Sequence, residues 1–454
     1  MKKTATYTKK RHTYPAYKDS GIEWLGEIPK HWEVKRLRFI AKIQTGNTPS
    51  KTEEDNYSDE GLLWVKPDNL FGPKPITSTK EYLSKTGREK ARVIPSGNPL
   101  ICCIGTIGKW GYSPQPVATN QQINAVVFNA SVVNRKFCIY LIASSEEEHW
   151  RRANTNVVSI LNSEQQSNIP YPLPPLPEQR AIAAFLDRET ARIDGLIEKK
   201  QRQIELLQEK RAALISHAVT KGLNPNAKMK DSGIEWLGEI PEGWDAVRVR
   251  HATNYIEQGW SPQCESREAD LDEWGVMKAG CANHGRFNER EHKVLPHDVL
   301  PERAYEIKPG DVIMSRACGT LSLVGSVAFV ETCRPRLLLC DKLFRLHPSP
   351  KRCLNQFLYL SLNSRLARAQ IEMCISGAGG LANNVTQPTI KNIIIALPPL
   401  GEQEIIVQHV RRFISRLNTL ISKVELSIER LFEYRKALVL ASVTGKIDVR
   451  KETV

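Results

Sequence analysis

The chain has 454 residues, too many for one ordinary core, so two or more domains are expected. Its 64 basic against 50 acidic side chains leave a charge of +14. That excess points to a polyanionic partner, nucleic acid first among them, although a basic protein without such a role carries the same sign. A hydrophobic fraction of 41% and a charged fraction of 25% exclude disorder on a large scale. No apolar run is long enough to cross a bilayer, and the basic start Met1-Lys2-Lys3-Thr4 leads into Tyr7-Thr8-Lys9-Lys10-Arg11, unlike the apolar stretch of a signal peptide. Ten cysteines are scattered without a Cys-x-x-Cys pair, and Cys102-Cys103 are adjacent. Reduced, mostly buried thiols in a cytoplasm are the expectation.

In chain order, the first marker is residues 18–29, Lys-Asp-Ser-Gly-Ile-Glu-Trp-Leu-Gly-Glu-Ile-Pro, followed by Trp32. All twelve letters return at 230–241, an offset of 212 residues, followed by Trp244. The stretch after it, 35–172, mixes short β-branched runs such as Ala125-Val-Val-Phe128 with Pro/Gly turns such as Pro95-Ser96-Gly97, which predicts a strand-rich domain. It contains Gly105-Thr106-Ile107-Gly108. A second marker, Leu173-Pro-Pro-Leu-Pro-Glu-Gln179, then opens a different kind of segment.

From Glu178 to Val219 there is no proline, and Gly195 is the one glycine. Ile193, Ile197, Lys200, Ile204, Leu207, Arg211, Leu214 and Ala218 recur at spacings of four and three, which is a helical seam with a seven-residue period. Pro177 and Glu178 suit its start and Gly222 its stop. Glu198 and Arg202 stand at i,i+4 and are expected to pair. The helix is expected to run for about 40 residues, or about 60 Å.

The second half repeats the plan. Residues 247–396 share only fragments with 35–172, the clearest being Gly319-Thr320-Leu321 after the turn Pro309-Gly310-Asp311 and before the run Gly325-Ser-Val-Ala-Phe-Val330. Leu397-Pro-Pro-Leu-Gly-Glu-Gln403 then opens a second seam: Leu417, Ile421, Val424, Ile428, Leu431, Arg435, Leu438 and Ser442, ending at Gly445. Each of its members lies 224 residues beyond its counterpart in the first seam. Ala218-Val-Thr-Lys-Gly and Ser442-Val-Thr-Gly-Lys close the two copies. The expected fold is α+β (mixed α/β): two pseudo-symmetric globular domains separated by two long helices that form an antiparallel coiled coil. The alternative is that each helix packs on its own domain or on another chain. The expected boundaries are 1–172 and 223–396 for the globular parts, and 173–222 and 397–454 for the helices.

Familiar catalytic motifs are missing. There is no Gly-x-x-x-x-Gly-Lys-Ser/Thr and no Gly-x-Gly-x-x-Gly; Gly377-Ala-Gly-Gly380 reads as a loop. The Pro-Pro pairs sit in Leu-Pro-Pro-Leu, and no Asn/Asp-Pro-Pro-Phe/Tyr of an amino-methyltransferase occurs. His284, His292 and His297 lie near Cys281, but their spacing fits no familiar zinc site, so solvated or core histidines are expected. The sequence reads as a binder.

Gly-Ile-Glu-Trp-Leu-Gly-Glu-Ile-Pro with its following Trp, and Leu-Pro-Pro-Leu-x-Glu-Gln opening a long helix, resemble the conserved regions of Type I restriction–modification specificity subunits. The Gly-Thr-Ile-Gly element is similar to one in their target-recognition domains. The resemblance runs from about Lys18 to Asp448; Gly401 in place of Pro177 is one departure. It implies a non-catalytic, cytoplasmic subunit that reads a bipartite, asymmetric target in double-stranded DNA. It further implies two methyltransferase subunits and restriction (motor) subunits as partners. S-adenosylmethionine, ATP and magnesium are expected on those partners and no cofactor on this chain. A stand-alone DNA endonuclease or a coiled-coil adaptor is the alternative.

On that reading lysine and arginine supply phosphate contacts, and loop-borne Arg, Asn, Gln and Thr the base contacts. The candidates are Lys42, Asn47, Lys51, Lys66, Lys85, Arg88, Thr106 and Lys109 in the first insert. In the second they are Arg267, Lys278, Asn283, Arg286, Arg290, Lys293, Arg316 and Thr320. For any one of them a solvated surface charge is the blander reading. A partner that binds twice needs a surface present twice, which nominates Glu23, Trp24, Glu235 and Trp236, the two tryptophans being expected as buried anchors.

Overall fold

The computed structural model describes residues 12–154, 159–375 and 383–452. The basic start and the Gly377–Gly380 stretch lie outside them. The chain divides into two compact units: residues up to Lys200 joined by Leu426 onward, and Gln201–Glu425. Each unit thus takes half of either long helix.

In the first unit the central strand Ile123–Phe128 runs antiparallel to Ala41–Thr45 on one side and to Pro99–Cys102 on the other, with Trp110–Tyr112 at the edge. A second sheet pairs Leu62–Val65 in parallel with Val117–Thr119 and antiparallel with Tyr82–Leu83. The second unit repeats this order. Leu343–Pro348 lies between Thr253–Gln258 and Val312–Ser315, with Val327–Phe329 at the edge. Gly275–Met277 pairs in parallel with Leu337–Leu338 and antiparallel with His292–Val294. Two inserts with little sequence in common therefore share one topology.

One glycine in each insert shows why some letters could not drift. A Cβ on Gly46 would stand 2.2 Å from the Thr119 carbonyl oxygen, and one on Gly259 would stand 2.2 Å from that of Leu339. Any side chain there would prise the first strand away from the segment it crosses.

The long helices are Leu176–Lys221 (46 residues) and Leu400–Val443 (44 residues), longer than expected. In the first unit Arg435 donates to Asp194 at 2.9 and 3.3 Å, while Arg188 reaches the carbonyl of Glu452. Later residues of one helix thus meet earlier residues of the other, an antiparallel pairing. In the second unit Arg211 approaches Asn418, and Gly222, just past the end of the first helix, lies beside Glu402 at the start of the second. The pairing there is antiparallel as well. All sixteen expected seam residues are buried or half-buried. Arg202 does not pair with Glu198; it turns toward the helix C-terminus and holds Glu205 at 2.6 Å.

Each helix start is tied down by the last letter of its marker. Gln179 and Gln403 are fully buried. Gln179 Oε1 accepts from the Asn134 N–H at 2.7 Å, and its Nε2 donates to the carbonyls of Val132 and Pro174 at 3.0 and 2.9 Å. Gln403 makes the same three bonds, to the Leu354 N–H and the carbonyls of Arg352 and Pro398, each at 2.8 Å. Asn134 and Leu354 are the N-cap residues of the helices Arg135–Ala143 and Asn355–Leu362, which pack on the main sheets. One amide thereby joins the long helix, the proline pair and the sheet-covering helix, and satisfies main-chain groups that burial has stripped of water.

The helix ends are closed by the first marker. Gly445 and Gly222 take φ values of +74° and +76°. Trp32 and Trp244, both buried, lie against them. Lys446 and Lys221 reach the carbonyls of Glu27 and Glu239, although Lys and Gly are in opposite order in the two copies. The buried anchors of the marker are therefore Trp32 and Trp244. Trp24 is half-buried, with its ring edge-on to Tyr171 at 6.0 Å, and Trp236 is 40% exposed. The helix-end glycines are covered by the indoles that follow each hairpin, not by those within it.

Candidate nucleic-acid interface

The structure divides the cationic candidates of the first insert into groups. Lys66, the first residue after Leu62–Val65, lies with its ammonium 4.6 Å from the centre of the Trp64 ring, and Lys51 approaches the same ring at 5.8 Å. Both pair with Glu81. The hydrogen bond from Lys66 is the main reason that the Glu81 carboxyl is held below its ordinary value. Lys109 donates to the Pro67 carbonyl at 2.9 Å and covers the ring of Phe71, which is 67% exposed. Thr106 is exposed at the neighbouring turn, its hydroxyl toward Cys102 Sγ at 3.4 Å.

Lys85 and Arg88, on the short helix Lys85–Lys90, line an open cleft with Glu60, Ser84 and Gln115. Lys42 is exposed on the strand Ala41–Thr45. Asn47 is already engaged: its amide donates to the Lys90 carbonyl and accepts from the Arg92 N–H, both at 2.8 Å. It bridges two segments, and a base contact would break that bridge.

In the second insert, Lys278 follows Gly275–Met277 as Lys66 follows Leu62–Val65, so the two lysines stand at one topological place. Arg267 is neutralised within the insert, with Glu273 at 2.7 and 2.6 Å and Glu265 at 3.3 Å. These bonds hold the Glu273 carboxyl well below the usual range. Arg290 and Thr320 are exposed, and Lys293 is half-exposed on His292–Val294. Arg316 donates to the Asp341 carbonyl at 3.3 Å, and Arg286 reaches Asn418 at 3.3 Å. Asn283 Oδ1 is buried without a partner among the described residues. Among the described residues, Lys42, Lys85, Arg88, Lys278, Arg286, Arg290, Lys293 and Arg316 have no carboxylate within 4 Å, which leaves their charge available to phosphate.

The histidine group has other occupations. His292 Nε2 accepts from the Ala269 N–H at 3.0 Å and its Nδ1 faces the Glu289 carbonyl, while His297 lies 3.3 Å from Glu273. Glu23 is exposed and 3.8 Å from Arg151, and Glu235 is exposed.

Sequence reasoning missed three features. Phe71 is an exposed aromatic in an otherwise polar turn. Tyr255 stacks on His347 at 4.0 Å on the second main sheet. Arg345 is buried among Glu257, Asp311 and the carbonyls of Ala304 and Glu306. Only the last left a trace, an arginine inside the apolar run Leu343–Leu346.

A doubled framework carrying two divergent basic inserts of one topology is the build of a recognition protein with two reading heads. The sequence pattern of the family described as "Type I restriction modification DNA specificity domain" matches residues 29–206 and 290–430. The Type I restriction enzyme MjaVIII specificity subunit of Methanocaldococcus jannaschii is 24% identical over 93% of this chain and 94% of its own length. The EcoKI specificity subunit of Escherichia coli K12 is 20% identical over 93% and 90%. The match with the Escherichia coli EcoEI specificity subunit is 27% identical and spans 49% of this chain but only 37% of that subunit. A solved chain from a study of complex assembly and conformational transition of the type I R-M system has the same fold, with a TM-score of 0.64 at 17% identity over 92% of this chain and 98% of that one. The chain belongs to the family of Type I restriction modification DNA specificity domains. Among the described residues, no helix is long and apolar enough to cross a membrane.

Proposed function

We propose that this chain gives a Type I restriction–modification complex its DNA specificity, each insert reading one half of a bipartite, asymmetric target. The observation that carries this reading is the pair of inserts that share a topology and little sequence. A common scaffold presents both to DNA in related ways, while different side chains at the loop tips read different bases. The length of helix between the inserts sets the number of unread bases. Inserting four residues after Leu207 therefore changes the gap and leaves the half-site letters alone.

The chain itself carries no catalytic group. S-adenosylmethionine, ATP and magnesium belong to two methyltransferase subunits and the restriction subunits, and the assembly works in the cytoplasm. The methyltransferase subunits dock on the duplicated surface around Glu23, Trp24, Glu235 and Trp236; the exposure of Trp236 and of both glutamates suits that role. Adenine-methylation mapping in cells with and without the gene is the test. The expected result is one asymmetric, interrupted motif that disappears with the gene. An unchanged methylome, or magnesium-dependent DNA cleavage by the purified chain alone, overturns the reading.

A further inference from the structure

The seam between the long helices holds an arginine at equivalent places in the two units, in unequal company. In the first unit Arg435 clasps the Asp194 carboxylate at 2.9 and 3.3 Å. The corresponding residues of the second unit are Arg211 and Asn418, each 224 positions from its counterpart. Asparagine has the shape of aspartate without its charge, and Arg211 Nη1 lies 3.5 Å from its Oδ1.

A second guanidinium then joins. Arg286, which follows the 3-10 segment Ala279–Gly285 of the insert, brings Nη2 to 3.3 Å from the same oxygen. Two cations thus share one neutral acceptor, and among the described residues neither has a carboxylate within 4 Å. Two neighbouring groups are committed elsewhere: the Tyr359 hydroxyl donates to the Gly285 carbonyl at 2.9 Å, and Glu331 pairs with Arg411 at 3.2 Å. Arg211 is half-buried, and burial together with the neighbouring Arg286 disfavours its charged form. Like charges held close with no counter-ion leave a place that an anion would relieve.

We propose that Arg211, Arg286 and the amide of Asn418 form an anion site that takes a phosphodiester of the DNA backbone, so that the helical framework of the second unit grips the duplex alongside its insert. This rests on the DNA-recognition reading above. A phosphodiester fits because its two free oxygens match two guanidinium forks, and because Arg286 belongs to the insert that also presents Lys278 and Arg290. The first unit cannot do this, since Asp194 already fills the equivalent place.

Asn418→Asp supplies the missing carboxylate and tests the site in the complex assembled with its methyltransferase subunits. Binding to the cognate duplex is expected to weaken roughly tenfold, with the slope of log affinity against log salt smaller by about 0.9, the share of one phosphate. The melting temperature should not fall. Arg211→Gln and Arg286→Gln should each reproduce the loss, which keeps the test valid if Asn418→Asp perturbs folding. Unchanged affinity and slope in all three variants overturn the proposal. So does weakened subunit assembly with an unchanged DNA slope, which would assign the site to a partner's carboxylate. A wild-type complex without sequence-selective binding would sink the DNA reading and the site together, a different result from a selective wild type with indifferent variants.

Discussion

Tyr140 and Leu360 occupy the same turn of equivalent helices, and their surroundings have changed as a set. In the first unit the Tyr140 hydroxyl donates to Asp187 at 2.8 Å, and Lys136 holds the same carboxylate at 2.6 Å. In the second unit Leu360, Arg411 and Gln356 stand at those places, and a shallow cleft opens between them, Phe329, Tyr359 and Ile414. The seam departs from this where Asp194 gives way to Asn418, because the arginine stays and only its partner has changed. The clamps of Gln179 and Gln403, by contrast, match bond for bond. Side-chain pairs can be exchanged together, because removing both partners leaves nothing unsatisfied. A side chain that serves buried main-chain groups cannot be exchanged, because those groups remain whatever replaces it.

That contrast can be broken experimentally, and the clamp should give the largest effect. Gln179→Leu and Gln403→Leu each orphan one N–H and two carbonyls, and each is expected to cost about 4 kcal/mol in denaturant unfolding. A cost below about 1 kcal/mol would mean that water replaces the amide and that the clamp is dispensable.

Acid should then separate the two units. His149, fully buried in the first unit, has its pKa pushed from 6.5 down to about 4 by burial. Its counterpart, Arg368, donates to the carbonyls of Val324 and Ser322. A histidine kept neutral in the fold contributes its full stability above pH 6.5 and loses it as pH falls toward 4. The first unit should therefore weaken by about 3 kcal/mol across that window. His149→Gln should flatten the dependence; an equal acid response in that variant would place the sensitivity elsewhere.

The helix ends offer a finer comparison. A methyl on Gly445 would lie 2.3 Å from Pro29, whereas on Gly222 the nearest atom, in Trp244, is 3.3 Å away. Both glycines are left-handed, so Gly222→Ala should cost about 1 kcal/mol and Gly445→Ala about 3 kcal/mol by thermal unfolding. Equal costs would show that the first marker yields as readily in either unit. Smallest is Asp194→Asn. Its carboxylate is half in water, so the lost pair with Arg435 should cost only about 0.5 kcal/mol, measured as a double-mutant cycle.

Much of the framework was legible because its signals are local or repeated. The seven-residue seam, the proline pair before each helix and the glycine after it all act within a few turns, and the doubled letters marked which positions matter. The letters also held one signal left unread: Ile43-Gln-Thr-Gly46 and Ile256-Glu-Gln-Gly259, each ending its first main strand on the glycine that permits close approach. The strand order within the inserts was not legible, since Leu62–Val65 finds its parallel partner more than fifty residues later and both strands are short. Asn47 and Arg267 looked like free recognition groups, but each is engaged by residues that the fold brings to it. The expected Glu198–Arg202 pair gave way to one with Glu205, three residues on, which the same helical face offers equally.

The sequence by itself determined that there are two copies, two long helices with a defined apolar seam, and a basic surface suited to DNA, because periodicity, repetition and charge are properties of the letters. Only the tertiary structure decided which tryptophan is buried, which cations are already neutralised, and that Arg211 and Arg286 meet over an uncharged oxygen. Those are outcomes of which distant groups come within 4 Å of one another, and no local pattern in the chain encodes that distance.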